Sequence, residues 1–175
     1  MTGDVLGRLA ARELTRAMDE IVWAINPRHD SLDGLVTYIC QFGQEYLTVA
    51  GVQCRLDVPS SLTPHALTAD TRHSLFLAVK EALNNIVKHA RARIVWIRLV
   101  ECERGFRLTI EDDGVGFAPD AVLATAVAGR ATPNRVNAGQ GLRNLHERLA
   151  SIGGRCSVTS QPGRGTQVAL EVELR

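Results

Sequence analysis

Between residues 70 and 112 the spacing of apolar side chains switches from helical to alternating. That switch restricts the folds open to the chain more than any other feature. Residues 70 to 90 carry the strongest helical pattern, with Leu75, Val79, Ala82, Leu83 and Ile86 on one arc. The stretches "RIVWIRLV" and "GFRLTIED" that follow alternate with period two, and Cys102-Glu103-Arg104-Gly105 between them predicts a hairpin. Two more strands close the chain, "RCSVTS" and "TQVALEVEL", the second with Thr166, Val168, Leu170, Val172 and Leu174 on one face. Further upstream, "VQCRLDV" reads as a short edge strand stopped by Pro59.

Helices fill the intervals. "LGRLAARELTRAMDEIVWAINP" reads as a helix ended by Pro27, with Leu14, Met18, Ile21 and Ile25 in a heptad-like seam. Such a seam packs against another helix, within the chain or across a dimer, or belongs to one ordinary amphipathic helix. Asp30 or Ser31 caps a second helix, with Leu32, Leu35, Ile39, Phe42 and Tyr46 on its apolar face and Gly51 at its end. Another helix is expected from about Gln140 to Ser151, closed by Gly153-Gly154. Residues 118 to 139 show weak periodicity, and a loop of that length in a compact domain is usually functional or mobile. The sum is an α+β fold, a two-layer sandwich of helices on a mixed, mainly antiparallel sheet.

With 175 residues, 45% hydrophobic and 22% charged, the chain suits one domain with a real core and room for an added helix. A net charge of +1 gives no argument for nucleic acid as a partner. Cys40, Cys54, Cys102 and Cys156 stand far apart with no C-x-x-C pair, which fits reduced thiols in a cytosolic protein better than a zinc site. No apolar run approaches the ~20 residues of a membrane span, so the expected location is cytoplasmic, any anchor lying outside these residues.

Beside the apolar arc of the long helix, Glu81, Asn85, Lys88 and His89 share a polar stripe. One reading is a solvated face with a Glu81–Asn85 pair. The other is a nucleotide-phosphate site. There Asn85 offers Mg²⁺ a neutral oxygen, Lys88 neutralises phosphate, and Glu81 acts as base or holds a water. In "FRLTIED" the alternation Phe106, Leu108, Ile110 continues to Asp112, which therefore points inward while Asp113 points away. A core-facing carboxylate is unfavourable unless hydrogen-bonded. Gly114 and Gly116 follow it, leaving room for a ligand near the backbone, and the acid suits a donor such as an adenine amino group. An EF-hand loop is excluded by the missing D-x-D-x-D-G ladder, whereas a plain Asp-Gly turn stays open. Gly139-Gln140-Gly141-Leu142 is expected to open a helix whose free N–H groups receive phosphate, and Gly163-Arg164-Gly165-Thr166 turns into the last strand.

In that order the motifs resemble the ATP-binding catalytic domain of bacterial sensor histidine kinases, in the superfamily shared with Hsp90, DNA gyrase and MutL. The resemblance spans roughly Ala69 to Leu174. "KEALNNIVKHA" is similar to the family's N box, which implies Asn85 as Mg²⁺ ligand, Glu81 as the catalytic carboxylate that assists transfer, Lys88 at phosphate and His89 beside the nucleotide. "DDGVG" resembles the first glycine box, with Asp112 accepting from the adenine amino group and Gly114 and Gly116 in the ATP site. "GQGL" resembles the second, with Gly139, Gly141 and Leu142 near the phosphates, and "GRGT" the third, with Thr166 near adenine. Residues 117 to 138 would be the ATP lid.

The resemblance extends, for "DEIVWAINPRHDSLDGL", to the second dimerisation-hairpin helix and junction of kinases paired with LuxR-type response regulators. It implies residues 1–30 as a hairpin remnant and 31–175 as the catalytic domain. It further implies ATP and Mg²⁺ as ligands, a homodimer in the full-length protein, and a response regulator as partner. The first hairpin helix with its phosphoacceptor histidine is missing from the pattern. His29-Asp30 and His146-Glu147 have the right dipeptide in the wrong setting, so the chain is expected to be a fragment of a longer kinase. Rival expectations are an anti-sigma-factor-type serine kinase using the same pocket, and a regulatory module that binds nucleotide without transferring phosphate.

Overall fold

A computed structural model describes residues 30–118 and 133–174. The expected N-terminal helix and its seam lie outside the described residues. From Asp30 the order is α1 (Leu32–Val49), β1 (Gln53–Asp57), α2 (Ala69–Asn85), a π-helical turn (Ile86–Ala90), β2 (Ile94–Cys102), β3 (Gly105–Asp112), α3 (Pro133–Ser151), β4 (Arg155–Ser160) and β5 (Thr166–Glu173). The five strands form one sheet in the order β1-β2-β3-β5-β4. Among the described residues only the β1–β2 pairing is parallel. Parallel neighbours need a crossover, and α2 supplies it. The expected α+β sandwich and its edge strand are both observed.

Strand alternation sends Val95, Ile97, Leu99, Phe106, Leu108, Ile110, Val168, Leu170 and Val172 into the core. Helical spacing answers with Leu35 and Ile39 from α1, Leu75, Val79 and Leu83 from α2, and Leu145 and Leu149 from α3. The opposite sheet face is polar: Arg98 pairs with Glu111 at 2.5 Å and lies 5.6 Å over the Trp96 ring, and Arg107 pairs with Glu171 at 2.7 Å. An aromatic seam joins α1 to α2, with Phe42 edge-on to Phe76 at 5.0 Å and stacked near Tyr46 at 5.5 Å.

Of the two expected caps, Ser31 does the work, accepting from the Gly34 amide at 3.1 Å. Asp30 instead forms an ion pair with Arg72 of α2. The Arg72 side chain is only 1% exposed and also donates to the Leu67 carbonyl at 3.0 Å, while Asp30 keeps 52% of its side chain in water. Backbone bonds Leu32 N to His65 O (2.9 Å) and Leu67 N to Asp30 O (2.8 Å) complete this knot. Arg72→Met is expected to destabilise the domain by about 2 kcal/mol in urea unfolding, moderated because Asp30 stays hydrated.

Two local differences from the sequence expectation concern the site. The α pattern ends at Asn85 and Ile86–Ala90 form a π turn, closed by Arg91 at φ 51°. Second, α3 begins at Pro133 rather than near Gln140, so Gly139 and Gly141 lie inside the helix instead of opening it. Their amides therefore belong to a helix interior, and the stretch 133–138 expected in a lid is helical.

Candidate functional site

At one end of the sheet the register aligns four residues in a row across the strands: Val95, Asp112, Thr166 and Ser160. All four are on the helix-facing side, because each continues its strand's inward alternation. Asp112 is 3% exposed, as the alternation of β3 predicts. Its Oδ1 accepts from the Gly114 amide at 2.8 Å. Its Oδ2 is buried and has no hydrogen-bond partner among the described residues. A buried acceptor left open in this way is unfavourable by itself and favours a ligand that donates to it. Burial pushes the Asp112 carboxyl above the usual carboxylate range. The neighbouring acids Asp113 and Glu111 add to this, and the Gly114 and Thr166 backbone amides oppose it.

Asp113 points away, as expected, and has a task that the sequence reading missed. Its Oδ1 accepts from the Arg93 amide at 2.7 Å and the Ile94 amide at 2.9 Å, clamping the start of β2 to the end of β3. The Val115 amide donates to Ala90 O at 2.8 Å, which ties the glycine turn to the π turn.

These contacts change the meaning of the glycines. A Cβ on Gly114 would sit 2.2 Å from Ala90 O, and one on Gly116, at φ +59°, would sit 2.0 Å from Gln161 O. One on Gly165 would lie 1.8 Å from Asp112 O. Gly114, Gly116 and Gly165 thus have a packing role that the sequence did not announce: they let three backbone segments interlock around Asp112.

The polar stripe of α2 stands nearby. The Asn85 Nδ2 donates to Glu81 Oε1 at 3.4 Å, which leaves Asn85 Oδ1 as a free acceptor among the described residues. Helix α3 crosses here: a Cβ on Gly141 would lie 2.5 Å from Glu81 Oε1 and 3.5 Å from Asn85 Oδ1. The structure so brings Glu81, Asn85 and Gly141 together. Lys88 and His89 are exposed on the π turn between this group and Asp112. Leu142 is half-buried against the core, and Gly139 lies within the span of α3.

Thr166 meets Ser160, a second residue that the sequence reading passed over. Their hydroxyl oxygens are 2.9 Å apart. The signal was present, since Cys156, Val158 and Ser160 alternate inward just as the residues leading to Asp112 do.

Among the described residues no group of three His, Cys, Asp or Glu could cage a metal by itself. A cation here would rest on one or two protein oxygens plus phosphate, the donor set Mg²⁺ accepts, and Asn85 Oδ1 fits that role. The cysteines are free, and burial pushes the Cys54 and Cys156 thiols up to about 11, which makes them poor nucleophiles. Among the described residues no helix is long and apolar enough to cross a membrane.

Comparison with known proteins gives this geometry a context. An uncharacterized sensor-like histidine kinase of Chloroflexus aurantiacus is 35% identical over 58% of this chain and 16% of its own length. The sensor histidine kinase LiaS of Bacillus subtilis is 30% identical over 68% of this chain and 29% of its own. The chain therefore spans less than a third of either relative. The histidine kinase domain of the blue-light activated kinase from Erythrobacter litoralis superposes with a TM-score of 0.59 at 20% identity, covering 80% of this chain and 61% of that one, a likeness of fold. The profile described as "Histidine kinase-, DNA gyrase B-, and HSP90-like ATPase" matches residues 70–175, well over half the sequence. On that match, the chain belongs to the histidine kinase, gyrase B and HSP90-like ATPase family.

Proposed function

We propose that this chain is the ATP-binding catalytic domain of a sensor histidine kinase. In this reading it transfers the γ-phosphoryl group of Mg·ATP to a histidine on a dimerisation hairpin, for relay to a LuxR-type response regulator. The observation that carries the reading is the buried, unpartnered Oδ2 of Asp112 beside Thr166, an acceptor matched to an adenine amino group. The family match and the sensor histidine kinase relatives support it.

Phosphoryl transfer asks the protein mainly for positioning and charge neutralisation. Asp112 and Thr166 register the base. Asn85 Oδ1 would hold Mg²⁺, which would supply positive charge to the phosphates when bound. Lys88, exposed at the pocket's rim, meets phosphate oxygens, and His89 flanks the nucleotide. Gly139, Gly141 and Leu142 lie along the phosphate side, where a Cβ at 141 would push the Glu81 carboxylate out of its place beside Asn85. Glu81, beside Asn85, takes the proton from the attacking imidazole. Residues 1–30 contribute the hairpin remnant and 31–175 the catalytic domain, within a cytoplasmic portion of a homodimeric kinase.

Calorimetric titration with ATP tests this reading. Binding is expected to tighten with Mg²⁺, and Asn85→Ala is expected to remove the Mg²⁺-dependent gain, roughly ten-fold or more, while leaving metal-free binding near wild type. A chain that shows no ATP binding, or an Asn85→Ala variant with undiminished Mg²⁺ dependence, contradicts it.

A further inference from the structure

We infer that Ser160 is a specificity-determining residue of the base pocket, because it fixes the direction of the Thr166 hydroxyl proton. The inference deepens the nucleotide-binding reading and rests on it.

The argument is a count of hydrogens. Ser160 is 8% exposed, at the end of the row Asp112–Thr166–Ser160. Its Oγ has three neighbours, each at 2.9 Å: the Phe117 amide, the Gly165 carbonyl and the Thr166 hydroxyl. A hydroxyl has one proton and two lone pairs. The Phe117 amide can only donate, so it uses one lone pair. The Gly165 carbonyl can only accept, so it takes the single proton; any other arrangement sets two lone pairs face to face at 2.9 Å. One lone pair remains, and the Thr166 hydroxyl must donate into it.

Thr166 therefore has no proton to offer elsewhere, and toward a ligand its oxygen can act only as an acceptor. Next to it across the β3–β5 register lies Asp112, whose Oδ2 is also an open acceptor. Two adjacent acceptors select a ligand edge that donates: an exocyclic amino group, or a water that donates onward. They reject an edge whose corresponding atom is a carbonyl oxygen, since that oxygen meets lone pairs on both sides. Ser160 achieves this from behind Thr166 and, through Phe117, also fixes where the chain leaves the site toward residue 118.

Without the Ser160 hydroxyl, Thr166 can turn its proton into the pocket and donate. The test is competition between ATP and ITP, which carries a 6-oxo group where ATP carries the 6-amino group. The wild-type chain is expected to prefer ATP. In Ser160→Ala that preference falls by about five-fold, chiefly through tighter ITP binding relative to ATP. Ser160→Thr, which keeps the hydroxyl, retains the wild-type ratio. If Ser160→Ala fails to fold, Ser160→Cys, with its weak donor, is judged by the same ratio. Equal weakening of both nucleotides, which a merely structural role produces, or an unchanged ratio overturns the inference. A wild-type chain that binds ATP and ITP alike also overturns it while leaving nucleotide binding intact. Binding of neither nucleotide sinks the underlying reading as well.

Discussion

Asp112→Asn is expected to lower ATP affinity on the order of 100-fold while leaving the fold intact. The asparagine oxygen can still accept from the Gly114 amide at the position of Oδ1. Its –NH₂ then occupies the place of Oδ2 and points a donor where the account needs an acceptor, so an amino group meets an amino group. The same variant is expected to gain affinity for ITP relative to ATP. Titration of wild type and variant with both nucleotides reads this directly.

The pH dependence of Asp112 follows from the direction of its shift. Its folded pKa lies above the unfolded value, chiefly through burial, so between those two values the native state binds more protons than the unfolded chain. Stability of the nucleotide-free domain is therefore highest below that window and declines as pH rises through it. Once ionised, the buried carboxylate is a destabilising group in the nucleotide-free domain. Asp112→Asn removes this part of the pH dependence, and the ligand-free variant is expected to be at least as stable as wild type at neutral pH. ATP affinity runs the opposite way: it requires the ionised acceptor, so it weakens as pH falls through the raised pKa. Thermal melts and titrations across that range check both signs.

The largest expected effect on stability belongs to Gly165→Ala. The substituted Cβ would meet Asp112 O at 1.8 Å and Asp112 C at 2.8 Å, at a backbone φ of +73°. Both obstacles are main chain of Asp112, paired on both sides at the end of the central strand, so no side chain can rotate away. A loss of more than about 4 kcal/mol is expected, enough to unfold a marginal domain. Gly163→Ala is the matched control. Its φ is +78°, nearly the same, yet nothing lies within 4 Å of its Cβ. It bears only the left-handed backbone strain, about 1 kcal/mol. Similar losses for the two variants would mean that φ, rather than the approach of β5 to Asp112, explains Gly165.

How much of this was legible in the sequence depends on the range of the interaction involved. Asp112 could be placed inward because strand alternation is local, and Leu75, Val79, Ala82, Leu83 and Ile86 could be placed in the core because helical spacing is local. The π turn stayed hidden because Ile86 and Ala90, four apart, are both buried as an α-helix would also bury them. The start of α3 was misread because Gly139 and Gly141 resemble helix-opening glycines. What the structure shows at 141 is a tertiary neighbour, the Glu81 carboxylate, which a Cβ there would displace. Likewise Gly114, Gly116 and Gly165 announce themselves as turn residues, but their neighbours Ala90, Gln161 and Asp112 come from other segments that only the sheet register brings together. The tasks of Asp113 and Ser160 stayed hidden for a related reason, although alternation already turns Ser160 inward. Their partners, the Arg93 and Ile94 amides and the Thr166 hydroxyl, are set by topology rather than by spacing.

The most direct measurement is a crystal structure of the chain with Mg²⁺ and a non-hydrolysable ATP analogue. The account predicts the purine amino nitrogen about 3 Å from Asp112 Oδ2, with Thr166 Oγ1 contacting the base only through a donor and Asn85 Oδ1 on the metal. A purine bound elsewhere, with Asp112 Oδ2 satisfied by the protein itself, would contradict it.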